Sequence, residues 1–168
     1  MIVNGQLMSG AWGVGGELGH FAIRRDGEKC ACGNIGCFER HASVPALIRR
    51  IKAHPEFEQM GIAADNVNGR TIFAQVEKKN PAVCAVVNEW IEDICAGIVS
   101  LIHIFNPELV LIGGGVSEQR ELFVKPVREK VLQMAMPEFT QGLEIAAASL
   151  GNSAGMLGAV ANLLSVKE

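Results

Sequence analysis

The chain has 168 residues, enough for one domain with its own core. Hydrophobic residues make up 49% and charged residues 20%, and the net charge is −3, so the scattered basic residues leave no electrostatic footprint for nucleic acid. No apolar run is long enough to span a membrane, and the first residues lack the charged-then-apolar order of a signal peptide, so a cytoplasmic, membrane-free setting is expected.

From the N-terminus, two short apolar runs flank Asn4-Gly5, a two-residue turn signal that predicts a hairpin. A glycine-rich loop follows, and "HFAIR" (His20 to Arg24) reads as a strand entering a cysteine-bearing loop. "SVPALIRRIKAH" reads as a helix with Ser43 as N-cap, Pro45 in the first turn and basic residues toward its end. Asp65 to Gly69 reads as a loop and Thr71 as the cap of a short helix. Asn80-Pro81 opens a long helix to about Phe105, in which Val83, Val87, Ile91, Ile94, Ile98, Leu101 and Ile102 keep helical spacing on one core-facing stripe.

"ELVLIGGGVS" reads as a buried strand breaking into a glycine turn. A helix over 119–134, a strand "LEIAAAS" and a small-residue helix from Gly151 to Leu164 complete the order. Helix–strand–turn–helix–strand–helix is an α/β pattern. A single unit over 1–168 is expected, with hairpin, glycine loop and cysteine loop (1–42) forming an irregular layer on the α/β part (43–168).

The five cysteines are odd in number, and three of them cluster, which favours a reducing compartment over a disulfide framework. His20, Cys30, Cys32 and Cys37 give H-x9-C-x-C-x4-C, three thiolates and one imidazole that match a closed tetrahedral zinc site. Gly33 and Gly36 let the backbone fold back around one ion. A disulfide across C-x-C would be strained, and a redox pair normally reads C-x-x-C. Four protein ligands leave no open position, so the zinc is expected to be structural. Glu17 and Glu39 flank the ligands; beside the free ring nitrogen of a metal-bound histidine they suit vicinal hydroxyls, and they equally suit a solvated surface.

Other side chains carry plain structural expectations. Cys84 and Cys95 read as core thiols, His41 and His54 as exposed, and His103 as lying at a helix end or interface. Trp90 and Trp12 read as packing residues, and Glu77-Lys78-Lys79 as a solvated helix end.

"GELGH" (Gly16 to His20) followed by "CACGNIGCFE" (Cys30 to Glu39) resembles the signature of the ROK family, named for repressors, open reading frames and sugar kinases. "NGQLMSGAWGVGGE", "FNPELVLIGGGVS" and "SLGNSAGMLGAVANLL" extend the resemblance to the end of the chain; Trp12 and Gly15 depart from residues common there. The resemblance implies the C-terminal lobe of an actin-like, ribonuclease-H-like ATPase fold with a zinc-bound loop. It implies that Glu17, His20 and Glu39 bind sugar hydroxyls, that His20, Cys30, Cys32 and Cys37 hold Zn2+, and that Gly113, Gly114 and Gly115 lie against the nucleotide.

It also implies an ATP-dependent kinase of a hexose or N-acetylhexosamine, glucokinase- or fructokinase-like, in the complete protein. The family's D-x-G-x-T phosphate motif, its N-D pair with the general base and its G-T-G-I-G run have no counterpart in this sequence. Asp26, Asp65 and Asp93 lack that context. The expectation is therefore a lobe with no catalytic residue of its own that binds sugar, uses ATP and Mg2+ only in a complete protein, and forms a homodimer. The effector lobe of a sugar-responsive repressor, or a non-catalytic oligomerisation subunit, is the alternative.

Overall fold

The computed structural model describes residues 1–165. Asn4 and Gly5, at φ 51° and 77°, turn the chain between β1 (Ile2–Val3) and β2 (Gln6–Leu7), which pair antiparallel with Ile2 opposite Leu7. Positive φ at both central residues is what a tight hairpin turn demands. The expected hairpin is present and short. The glycine loop then closes on itself, the Gly15 N–H donating to the Ser9 carbonyl at 2.7 Å.

His20 to Arg24 is not a strand. Its β-pairing with the returning chain is one isolated bridge, Ala22 with Cys37, and a second isolated bridge joins Lys29 and Ile35. The Gly36 carbonyl accepts from both the Ile23 and Arg24 N–H groups, at 2.9 and 3.3 Å, and Gly36 has φ 73°. That sharp turn ends the pairing before a ladder can form.

α1 (Phe38–Ala42) and α2 (Val44–Ala53) follow without a loop. The Ser43 hydroxyl accepts from the Ala46 N–H at 3.4 Å, and Pro45 stands in the first turn, as expected. α3 (Gly69–Glu77) is capped by Asn68 rather than Thr71. Asn68 Oδ1 accepts from the Thr71 N–H at 3.1 Å while Thr71 Oγ1 accepts from the Asn68 N–H at 3.0 Å, a reciprocal capping box. Thr71 is thus the third helical residue.

α4 (Pro81–Phe105) begins at the Asn80 cap and ends at Asn106 in the left-handed region. Its buried stripe includes Val83, Val87, Ile91, Ile94, Ile98 and Ile102, with Val86, Trp90, Cys95 and the charged Asp93 added. β3 (Leu109–Ile112) and β4 (Glu144–Ala147) pair parallel, Leu109 opposite Glu144, with α5 (Lys125–Met134) in the crossover. A π-helical turn over Arg120–Val124 leads into α5. Pro126 has no N–H to complete an i→i−4 bond, and the turn ahead of it widens, Val124 N–H reaching Gln119. β3 is not buried throughout: Leu109 and Leu111 are 46% and 59% exposed, because helices cover only its other face. A short 3-10 turn and α6 (Ala154–Ser165) close the described chain.

The core lies where α2, α3 and α5 pack on α4. Trp90 stacks on Phe123 with ring centroids 5.0 Å apart, and its indole N–H donates to the Ser43 carbonyl at 3.1 Å. Trp90 is therefore a packing residue, whereas Trp12 is 89% exposed and packs into no core. Cys95 is buried and Cys84 half-buried.

Candidate metal centre

The cysteine loop is held in shape by backbone bonds. Cys30 N–H donates to the Asn34 carbonyl at 2.8 Å, Gly33 N–H to Cys30 at 3.1 Å, and Gly36 N–H to Glu28 at 2.9 Å. Phe38 and Glu39 N–H groups donate to the Phe21 and Gly19 carbonyls, at 2.8 and 2.9 Å, which seats α1 beside His20.

These bonds bring His20, Cys30, Cys32 and Cys37 together, with one donor atom from each lying within 4.8 Å of every other. His20 Nδ1 is 3.6 Å from Cys30 Sγ, and Cys32 Sγ is 3.5 Å from Cys37 Sγ. The three thiols are unpaired. Burial, with the neighbouring sulfurs, pushes the Cys37 thiol up to about 12. Cys32 moves the other way, held down by the Asn34 backbone N–H and then by Cys37.

The second nitrogen of His20 faces elsewhere. Nε2 is 3.7 Å from Glu17 Oε2 and 3.8 Å from Glu39 Oε2, and both carboxylates are largely exposed. One imidazole thus looks into the sulfur cluster through Nδ1 and out to two carboxylates through Nε2.

Gly19 and Glu39 also line an apolar cavity of about 530 Å³ whose far wall is Val110, Gly113 and Gly114. Gly115 lines a neighbouring groove with Asn68, Arg70 and Gln119. Of the three glycines expected to act together, two share the cavity with the carboxylate and the third lies on the groove beside it.

Behind the loop stands a polar cluster that the sequence did not announce. Asp93 of α4, 8% exposed at its side chain, pairs with Arg24 of the loop at 2.8 Å and with Arg50 of α2. His41, expected at the surface, is buried at 5% exposure and accepts the Glu28 N–H at Nε2. That burial holds its pKa below the ordinary histidine value. An aspartate inside the otherwise apolar stripe of α4 was the available signal. His54 is half-buried and accepts the Glu56 N–H, and His103 near the end of α4 accepts the Met136 N–H at 3.1 Å.

Comparison with solved structures sets the class first: this is an α/β unit of the ROK sugar-kinase fold. It matches a ROK family glucokinase from Streptomyces griseus, solved with glucose and AMPPNP, at a TM-score of 0.81 and 31% identity over 94% of this chain and 54% of that one. A ROK hexokinase from Thermus thermophilus matches at a TM-score of 0.74 and 30% identity over 99% of this chain and 53% of that one. The chain belongs to the ROK family, whose model matches residues 1–165. A glucokinase of Thermotoga maritima is 32% identical over 95% of this chain and 52% of its own length. A xylose repressor of Caldicellulosiruptor bescii is 35% identical over 98% of this chain and 43% of its own length. The chain spans about half the length of the curated relatives it matches. Among the described residues, no helix is long and apolar enough to cross a membrane.

Proposed function

We propose that this chain is the sugar-holding lobe of a ROK-type ATP-dependent kinase of a hexose or N-acetylhexosamine, with a structural zinc in its cysteine loop. The observation that carries the reading is the two-sided imidazole of His20. The kinase class is supported by the likeness to a glucokinase solved with glucose and a nucleotide analogue.

The donor set suits zinc. Tetrahedral zinc with bonds of about 2.3 Å to sulfur and 2.0–2.1 Å to nitrogen separates sulfur from nitrogen by about 3.5–3.6 Å and sulfur from sulfur by about 3.8 Å. His20 Nδ1 to Cys30 Sγ, at 3.6 Å, meets the first, and Cys32 Sγ to Cys37 Sγ, at 3.5 Å, is a little shorter than the second. His20 Nδ1 and the sulfurs of Cys30, Cys32 and Cys37 would hold the ion, leaving no position for substrate. The ion would supply charge to stabilise the three thiolates, that of Cys37 against its burial, and so would close the loop.

With Nδ1 on the metal, the proton of His20 sits on Nε2, which donates to a sugar oxygen. Glu17 and Glu39, which only accept, take hydrogen bonds from sugar hydroxyls on either side. Gly113 and Gly114 give the cavity wall no side chains, and with Gly115 they form the nucleotide side in a complete kinase, where ATP and Mg2+ act. Among the described residues no aspartate is assigned as base: Asp93 is buried between two arginines, and Asp26 and Asp65 lack the sequence context of one.

Calorimetric titration with glucose and N-acetylglucosamine tests the reading. One of the two binds to metal-loaded chain, and Glu39→Gln weakens that binding about tenfold or more, the loss of a charge-assisted hydrogen bond. ADP release from ATP and sugar stays at background. Unaltered affinity in Glu39→Gln, or robust ADP release by the purified chain, contradicts it. A repressor's effector lobe is the second reading, supported by the xylose repressor at 35% identity. It predicts the same titration, and the coding sequence upstream of Met1 separates the two. A homodimer is proposed for either, with light scattering as its measure.

A further inference from the structure

We propose that Asp93 is a positioning residue that fixes the two halves of this site relative to each other, a role resting on the reading of His20, Glu17 and Glu39 as the sugar-facing group. The two halves come from different segments. His20 and the cysteines stand on the loop, and Glu39 stands on α1. Asp93 reaches both from α4.

Its Oδ1 accepts from Arg24 Nε at 2.8 Å and lies 2.8 Å from Arg24 Nη2, so one oxygen takes the whole edge of the guanidinium. Arg24 is the backbone node of the loop. Its N–H donates to the Gly36 carbonyl, its own carbonyl accepts the Gly27 N–H, and Gly36 packs against that carbonyl too closely for any side chain. The other oxygen, Oδ2, pairs with Arg50 Nη2. That same Nη2 donates to the His41 carbonyl at 3.2 Å, two residues from Glu39 on α1.

A carboxylate in this apolar stripe is costly unless both oxygens are engaged, and here both are. Glu28 makes a parallel tie, 2.7 Å from Arg40 and 3.4 Å from Arg49. The Glu28 carboxylate is 45% exposed against 8% for Asp93, so that tie contributes less. The clamp through Asp93 works with the Phe38 and Glu39 backbone bonds to set where Glu39 stands relative to His20 Nε2. It never touches the sugar.

Amide hydrogen exchange on the full chain tests the clamp. Asp93→Asn raises exchange about tenfold or more at Ile23 and Gly36 in the loop and at Ser43, which donates to the Glu39 carbonyl of α1, while Ile98 and Ile102 of α4 keep their protection. Arg24→Gln, at a half-exposed side chain, loosens the loop amides and leaves that of Ser43 unchanged. With glucose as probe, Asp93→Asn also weakens binding about tenfold with an unchanged far-UV spectrum. Unchanged exchange in Asp93→Asn overturns the proposal, as does a loss of protection that spreads to Ile98 and Ile102. So does an Arg24→Gln variant that frees both halves alike. If the unsubstituted chain takes up no sugar, the sugar reading fails, and the exchange pattern alone then decides for or against the clamp.

Discussion

At Gly36 the backbone takes φ 73° and passes the Arg24 carbonyl with no room for a Cβ, and this is how a short loop brings Cys37 back to Cys30 and Cys32. His41, a few residues on, is the other half of that packing: its Nε2 receives the Glu28 N–H, and Gly27 lies against the ring. A buried ring that accepts a hydrogen bond prefers to be neutral, so its folded pKa lies below the ordinary 6.5. The unfolded chain then binds the extra proton first. Stability contributed by this residue is present above about pH 6.5 and declines as pH falls through that value toward the lower folded pKa. Urea unfolding at pH 7.5 and 5.5 should show a larger fall in midpoint for the natural chain than for His41→Gln, and an equal fall in both refutes the assignment. The glycines between the cysteines were legible in the sequence because turns need them. The burial of His41 was not, since nothing in the string places Glu28 and Gly27 against it.

The long helix was the most legible element, because Asn80-Pro81 and the 3.6-residue stripe specify start, length and face together. What the stripe could not say is which partner each position meets. Gly97 meets the ring of Phe38, which packs in turn against Phe21, tilted by 31° at a centroid distance of 5.4 Å. A methyl at Gly97 would overlap that ring, so α1 packs on α4 only because this position is bare. Gly97→Ala should therefore cost about 1–3 kcal/mol despite alanine's better helix propensity. It should also weaken sugar binding, since Phe38 precedes Glu39. Chemical denaturation with a parallel glucose titration reads both, and a stabilised variant would refute the packing argument. Elements that depend on long-range pairing were read less well. His20 to Arg24 has β-type residues, yet Gly36 offers it one carbonyl instead of a ladder. Thr71 has the hydroxyl of a cap, but the Asn68 side chain accepts the Thr71 N–H and so places Thr71 inside the helix.

On the scale of the whole molecule, the site and the core are separate pieces of physics. The continuous core runs from Leu47 to Ile145 and is built on α2 to α5 and β4, and the cysteine loop adds little apolar surface to it. The α/β order of those elements and the clustering of His20 with the three cysteines were both legible, because each rests on a local pattern. The clamp that joins them through Asp93 was not, because it is made by residues far apart in sequence. This separation predicts how metal removal acts. On the proposed reading, stripping zinc with a chelator should open the loop and abolish sugar binding, because His20 would serve metal and sugar at once. It should leave the core folded, in contrast to small zinc domains that unfold without their ion. Trp90, 1% exposed and stacked on Phe123, supplies the reporter, best read in a Trp12→Phe background because Trp12 is exposed. Chelation should leave the Trp90 emission blue-shifted and its thermal midpoint within a few degrees, while exchange at Ile23 and Gly36 rises and glucose binding is lost. A red shift of Trp90 on chelation would show that the loop holds the core together, and sugar binding that survives metal removal would separate the two roles of His20.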